Sequence, residues 1–320
     1  MQDNVFLVLD PGPFSTVQDL GRFGYQSLGV PISGALDPYS AQVANLLAGN
    51  SPRAAVLEMS IRGCTLAVLQ HTRLALTGAQ AMARLNSKDK ATWSAFEAEP
   101  GDVLRISQVS QGCRIYLAVR GGLDLPLIMG SRSTYVQAAL GGLQGRALQK
   151  GDFLPAGSSW VLPKQDFIPE EYRPELSPEI NLGCVPGPQE QHFQQEGQAL
   201  YESCYTVTQR ADRRGIRLEG PQLLHAHDSP GSIVSEPILP GNIQVPGDGQ
   251  PIALLNEQTV GGYPKIATVQ SSDLHKLGQA IPGDKITFHR ITPDQARENH
   301  QHLQKKLQSL QKILGIPSQP

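Results

Sequence analysis

Glycine and proline interrupt this chain so often that little of it is left for long helices. Its 320 residues include 32 glycines and 25 prolines, spread along the whole length rather than gathered in one low-complexity tract. Between them lie short runs of branched and aliphatic side chains bounded by turn residues, which is the pattern of strands joined by tight turns. Such runs fall at 55–59, 64–69, 73–77, 93–96, 103–106, 114–119 and 205–209. A sustained helical period comes only after residue 293, where Leu303, Leu307, Leu310 and Leu314 fall on one face. The expectation is a mainly β protein with few short helices and a C-terminal helix.

One early stretch departs from this rhythm. Residues 15–45, STVQDLGRFGYQSLGVPISGALDPYSAQVAN, set Gln18, Asp19, Arg22, Tyr25 and Asp37 among glycines, where the backbone must turn sharply. Polar side chains on such a loop are the usual make-up of a binding segment. The loop feeds a helix: Asp37 is a cap, Pro38 suits the first helical position, and Val43, Leu46 and Leu47 form an apolar stripe ending near Gly49 and Asn50. Residues 130–152, rich in glycine and hydroxyls, read as a second long loop of the same kind.

The length suits two domains. Residues 1–165 form the first, and the proline-rich stretch 166–188 reads as a connector. Residues 189–292 form the second, opening on a short helix over 189–200, and 293–320 form a helical tail. Glu-Pro-Gly-Asp at 99–102 and Ile-Pro-Gly-Asp at 281–284 each lead into a strand, an echo that points to internal duplication of one β-rich unit.

Charge narrows the partners. With 27 basic against 29 acidic residues the formal net charge is -2, and no basic run is present, so neither nucleic acid nor a membrane surface is expected. The start, MQDNVFLVLDPG, has no basic segment before its apolar run and reads as a first strand rather than a signal peptide. Cys64, Cys113, Cys184 and Cys204 are widely spaced, which suits a reducing cytoplasm.

The chain lacks the GxxxxGK[ST] and GxGxxG phosphate loops, the GxSxG elbow and HExxH. His225, Ala226, His227 and Asp228 would point two imidazoles to one side of a strand; without a third ligand they read as a polar surface segment, and no metal is expected. In the segment 260–265, Gly261 and Gly262 let a backbone approach a ligand, Tyr263 adds a hydroxyl and a stacking face, and Lys265 adds a cation. Gln244 could read an amide through both its donor and its acceptor. Arg213 beside Asp212, and Arg22 near Asp19, fit either ion-paired turns or anion clamps.

Several strings, in order, carry a resemblance. TVQDLGRFGYQSLGVPISGALD (16–37), LAVRGGLD (117–124), GSRST (130–134), GGLQGRALQKGD (141–152), ADRRGIRLEGP (211–221), NIQVPGDGQPI (242–252) and GGYPKIATV (261–269) are similar to the KipA, or allophanate-hydrolase-subunit-2-like, biotin-dependent carboxyltransferase family. Within it they most resemble the subunits of prokaryotic ATP-dependent 5-oxoprolinases. The resemblance implies two β-rich, cyclophilin-like barrel domains. It also implies work beside a KipI-like subunit and a barrel-type A-subunit, opening the small lactam 5-oxo-L-proline to L-glutamate with ATP and its magnesium in the complex. Biotin is not expected, since no Met-Lys-Met hairpin is present. Other members suggest two alternatives: a KipA-like regulator that binds a KipI-type kinase inhibitor, or the carboxyltransferase component of a biotin-dependent urea carboxylase. The resemblance and the residue types together assign Arg22, Arg213 and Lys265 to oxyanion or carboxylate binding. They assign Asp19 and Asp37 to orientation or proton handling, and Gln244, Gly261, Gly262 and Tyr263 to the substrate wall. In the family's Asp-Arg-Met-Gly-Tyr string this chain has Arg214 and Ile216 in place of Met and Tyr.

Overall fold

The computed structural model describes residues 4–317 apart from Trp160, Asp228 and Pro230. It divides into two units, the first made of residues 4–22, 33–176 and 305–317, the second of residues 23–32 and 177–304.

In the first unit the strands are β1 (Asn4–Asp10), β2 (Phe14–Gln18), β3 (Val56–Ser60), β4 (Thr65–Val68), β5 (Thr72–Leu85), β6 (Lys88–Lys90), β7 (Ser94–Ala98), β8 (Val103–Val119) and β9 (Phe153–Pro155), with helix α1 (Pro38–Ala48) between β2 and β3. They form one sheet in the order β2-β3-β8-β4-β1-β9, with β5 pairing along β8 and carrying β6 and β7. Strands β5 and β8 are longer than their apolar runs suggest, because the sheet bends without breaking: their register shifts between Gly78 and Gln80 and again before Ala83. Gly78 is required at that bend, since its φ is +91° and a Cβ there would lie 2.2 Å from the Arg114 carbonyl oxygen. Alternate residues of these strands, among them Leu57, Leu66, Leu74, Leu104 and Leu117, fill one core.

Helix α1 forms as its sequence dictates. The Asp37 Oδ1 accepts the Ser40 N–H at 2.9 Å, Pro38 opens the first turn, and Gly49 ends the helix in the left-handed region. Its Val43, Leu46 and Leu47 are buried.

The second unit is a closed barrel. Strands β10 (Glu179–Pro186), β11 (Cys204–Ala211) and β12 (Gly215–Glu219) are followed by β13 (Glu236–Pro237), β14 (Asn242–Gln244), β15 (Ile252–Leu254), β16 (Val260–Gly261), β17 (Lys265–Val269) and β18 (Lys285–Arg290). Seven of them circle in the order β10-β17-β14-β15-β12-β11-β18, and β13 pairs with β16 alone. Closure comes from the parallel pairing of β10 with β18, from Glu179 against Lys285 to Cys184 against Arg290. Part of the stretch read as a connector is therefore a barrel strand, because the residues between its prolines alternate, with Ile180 and Leu182 buried. The expected helix over 189–200 is instead two 3-10 turns, Glu190–His192 and Gln194–Gly197, leading into the short helix α2 (Gln198–Glu202). A second short helix, α3 (Leu274–Gln279), precedes β18. Residues 23–32, the middle of the first loop, belong to this unit: they make the 3-10 turn Gln26–Leu28, and the Gln26 Nε2 donates to the Ile238 carbonyl oxygen at 3.4 Å.

The Pro-Gly-Asp echo has a structural counterpart, and a third turn of the same form carries Lys150 where the other two have proline. At Glu99 to Asp102, Gln149 to Asp152 and Ile281 to Asp284, the aspartate carboxylate accepts the N–H three residues back at 2.8, 2.7 and 2.9 Å. Each glycine, at φ +93°, +93° and +100°, donates to the carbonyl of a facing valine, which is Val68, Val8 or Val207. The same valine's N–H returns to the aspartate carbonyl. One local device therefore starts β8, β9 and β18 alike.

The tail is helix α4 (Pro293–Leu314), whose residues from Lys305 onward belong to the first unit. There Leu307, Leu310 and Leu314 are buried, and the Lys306 ammonium lies over the Tyr39 and Tyr172 rings at 5.9 and 5.7 Å. Burial lowers the Lys306 pKa. No helix among the described residues is long and apolar enough to cross a membrane.

Two measurements check this account. Leu310→Ala is expected to cost about 2–4 kcal/mol in denaturant melts, the range for removing a fully buried leucine side chain. Asp152 and Asp284 hold the same turn with opposite titration. Arg146 holds the Asp152 carboxyl below its ordinary range, whereas burial raises that of Asp284. Stability from the Asp152 charge is present above the unfolded pKa and lost as pH falls through the lower folded value. For Asp284 the sign reverses, since the folded chain holds the proton more tightly and loses that advantage as pH rises through the raised value. Asp152→Asn should therefore cost about 1–2 kcal/mol at pH 7 and less at acid pH, while Asp284→Asn should fall within about 0.5 kcal/mol of the parent at pH 7.

Candidate functional site

The residues singled out from the sequence gather into separate groups within each unit. In the first, β2 ends at Gln18 and the chain turns through Asp19 and Gly21 to Arg22. The Asp19 carboxylate accepts four hydrogen bonds, from the Gly21 N–H at 2.8 Å, Ser131 Oγ at 2.7 Å, Ser133 Oγ at 2.6 Å and the Arg132 N–H at 2.6 Å. Arg22 is 0% exposed and meets the same loop. Its Nε donates to the Ile128 carbonyl at 3.0 Å and its Nη2 to the Ser133 carbonyl at 2.9 Å. Gly141 leaves the space for this, because a Cβ there would come within 2.7 Å of Nη2. The Arg22 pKa is lowered by burial, with Asp19 opposing. Asp19 and Arg22 thus meet one loop, yet they are bridged by Ser133 rather than joined as an ion pair.

Asp37 has a different setting. Beyond the cap that its carboxylate gives α1, its N–H donates to the Tyr116 hydroxyl at 2.8 Å, and that hydroxyl donates to Glu58 Oε2 at 2.7 Å. Glu58 also accepts the Leu36 N–H at 2.9 Å, and Arg114 Nε stands 3.9 Å from its other oxygen. All of these side chains are buried, and burial, followed by the Glu58 and Asp37 charges, drives the Tyr116 pKa far up. Sequence reading missed Tyr116 and Arg114. The signal it had was a glutamate amid the apolar run Val56, Leu57, Met59, where a strand buried on both faces does not normally carry a charge.

The second unit gathers five of its six candidates. Gln244 on β14 lies in register with Lys265 on β17, and its Nε2 donates to the Tyr263 carbonyl at 3.1 Å. Gly261 is glycine because a Cβ there would stand 2.3 Å from the Gln244 amide nitrogen. Gly262 accepts the Ile233 N–H at 2.8 Å. The Tyr263 side chain is exposed. Lys265 is buried, and its Nζ donates to Glu236 Oε2 at 2.6 Å and to the Pro237 carbonyl at 3.4 Å. Glu236 also accepts from the Gln189 Nε2 at 3.1 Å, and the Lys265 hydrogen bond holds its carboxyl below the ordinary range. Glu236 and Gln189 carry no sequence signal, since both sit far from Lys265 along the chain.

Arg213 turns instead to Glu257, with Nε to Oε1 at 2.5 Å, both side chains buried, and the Glu257 N–H bonded back to the Arg213 carbonyl at 3.1 Å. Of the two readings left open for Arg213, the ion-paired turn is the arrangement present, although its partner is Glu257 rather than Asp212. Asp212 pairs with exposed Arg214 at 2.8 Å. In the His225 to Asp228 segment, Asp228 lies outside the described residues. The His225 Nε2 is 3.2 Å from the Pro246 carbonyl and its ring packs on Phe193 at 4.8 Å. Among the described residues no three His, Cys, Asp or Glu side chains cluster as a metal site.

Comparison with known proteins places this geometry. The chain matches the C-subunit of 5-oxoprolinase from Escherichia coli at 36% identity, over 95% of this chain and 96% of that protein. It matches the urea amidolyase of Lachancea kluyveri at 34% identity, over 92% of this chain but 17% of that much longer protein. The crystal structure of the K. lactis urea amidolyase superposes with a TM-score of 0.90 at 32% identity, covering 97% of this chain and 20% of that one. The family model described as "Carboxyltransferase domain, subdomain A and B" matches residues 28–290. The chain belongs to this carboxyltransferase domain family.

Proposed function

We propose that this chain is one component of a cytoplasmic, ATP-dependent 5-oxoprolinase. In this reading it acts with a KipI-like subunit and a barrel-type A-subunit to open the lactam of 5-oxo-L-proline to L-glutamate. One observation carries the reading: the match to the E. coli C-subunit is co-extensive, 95% of one chain against 96% of the other, whereas the urea amidolyase match uses 17% of its counterpart. An unstrained lactam resists water because amide resonance leaves its carbon weakly electrophilic. Opening it requires activation at the oxygen and stabilisation of the charge that develops there. ATP and its magnesium supply the activation in the assembled enzyme, and no step of theirs is assigned to this chain.

Within this reading Lys265 binds substrate charge, supported by its burial beside a carboxylate that is 41% exposed and so within reach of exchange. Gln244, Gly261, Gly262 and Tyr263 form the wall beside it. Arg22 holds a substrate oxygen, and Asp19 keeps its loop in place. Asp37 orients α1, and Arg213 with Glu257 braces the turn between β11 and β12. A second reading, carboxyl transfer to urea, is favoured by the likeness to the K. lactis urea carboxylase, with a TM-score of 0.90.

The test is reconstitution. Purified chain, partner subunits, ATP and magnesium are mixed with 5-oxoproline and glutamate is followed. Leaving the chain out should drop the rate to background, and an undiminished rate would end the proposal. Urea-dependent turnover with a biotinylated carrier in place of lactam opening would favour the second reading. Lys265→Met should lower glutamate formation by roughly a hundredfold while the melting temperature stays near that of the parent. Arg213→Ala should instead lower stability by about 3–5 kcal/mol, because it strands Glu257 as an unpaired buried charge.

A further inference from the structure

Lys265 and Gln189 converge on one carboxylate. Both residues are buried, at 5% and 9% exposure. The Gln189 Oε1 accepts the Lys265 N–H at 3.1 Å, and the Gln189 N–H donates to the Lys265 carbonyl at 3.2 Å. With its oxygen taken, the amide has its Nε2 left to meet the same acceptor as the lysine ammonium. That acceptor is the chain's own Glu236. Its Oε2 accepts from Lys265 Nζ at 2.6 Å and from Gln189 Nε2 at 3.1 Å, and its Oε1 lies 3.4 Å from the same amide nitrogen.

The carboxylate is held less firmly than the groups that bind it. Lys265 belongs to the barrel strand β17, whereas Glu236 lies on β13, a two-residue strand that pairs only with β16 and has no place in the barrel ring. The Glu236 side chain is 41% exposed against 7% for Lys265, so it stands between solvent and a buried ammonium. An ion pair with one partner in water adds little to stability, while burying the ammonium is costly, so the pair is a poor device for holding the fold together. Exchange suits it better. If Glu236 turns outward it regains full hydration, and the space it leaves is that of one carboxylate, on the solvent side of Nζ. An incoming carboxylate restores the same bonds and the same charge balance, whereas a neutral carbonyl group would leave the buried ammonium without a counter-charge.

We propose that Lys265 and Gln189 form a carboxylate-binding site that Glu236 fills as an internal ligand, and that an external carboxylate binds by taking the place of Glu236. This deepens the role given to Lys265 and rests on the proposed function only for which carboxylic acid is bound. The full chain, labelled with 13C at its glutamate carboxyl carbons, is titrated with acetate at an ionic strength held constant with chloride. The Glu236 signal is assigned by its loss in Glu236→Gln, and acetate binding is followed in the spectrum of the acetate itself.

Acetate is expected to move the Glu236 signal saturably toward that of a free glutamate side chain, and acetamide to leave it in place. A tethered carboxylate competes at an effective concentration of millimolar order, so Glu236→Ala should bind acetate about tenfold or more tightly than the parent. Adding Lys265→Met to Glu236→Ala should abolish that binding. A Glu236 signal that acetate never moves would overturn the proposal, since the ion pair would then be permanent. So would an equal response to acetamide, equal acetate affinity with and without Glu236, or binding that survives Lys265→Met. Should Glu236→Ala fail to fold, the titration of the parent with acetate and acetamide decides alone. The measurement needs neither partner subunits nor ATP, so it can fail while reconstituted lactam opening succeeds, or succeed while reconstitution fails.

Discussion

The carboxylate of Asp19 is the fastening on which the first unit's loop at 131–133 depends. Four donors converge on its two oxygens, two from main chain and two from serine hydroxyls, and three of them come from the segment 131–133. A hydrogen bond to an ionised acceptor is stronger than one between neutral groups. This cluster therefore sets where the Ser133 carbonyl lies, and with it the guanidinium of Arg22. With four donors in place, both Asp19 oxygens are engaged in holding that segment.

The candidate cations are held in different electrostatic states by the same fold. Lys265 and Arg213 each meet a carboxylate directly, one half-exposed and one buried. Arg22 meets main-chain carbonyls only. A buried ion pair is largely self-satisfied and contributes little to recognition, whereas one whose carboxylate reaches solvent keeps its cation open to exchange. Residue type made these three side chains look equivalent, and their partners separate them.

The fold was legible wherever it depended on local chemistry. Asp37 and Pro38 announced α1, Gly49 marked its end, and the Pro-Gly-Asp turns marked the starts of strands, because caps and left-handed turns are written in neighbouring residues. What could not be read depended on pairing across the chain. Strand β10 lay hidden in a proline-rich stretch because its partner β18 is about a hundred residues away in sequence. The division of residues 15–45 between two units, with 23–32 leaving the first, has no local mark at all. The site followed the same rule. The glycines at 261 and 262 and Lys265 were visible as a motif, and Gly261 does make room for Gln244. Glu236 and Glu257, the carboxylates that Lys265 and Arg213 meet, were invisible because only tertiary structure brings them there.

The route of α4 has a consequence for how the protein is made. The last barrel strand ends at Arg290, while the first unit takes in residues from Lys305 onward, whose leucines complete its buried surface. On a ribosome the barrel therefore has all its strands available while the earlier-synthesised unit still lacks its closing helical turns. The usual order, in which the N-terminal domain finishes first, is reversed here. The nascent sheet waits, with apolar surface uncovered, until Leu307, Leu310 and Leu314 have left the exit tunnel.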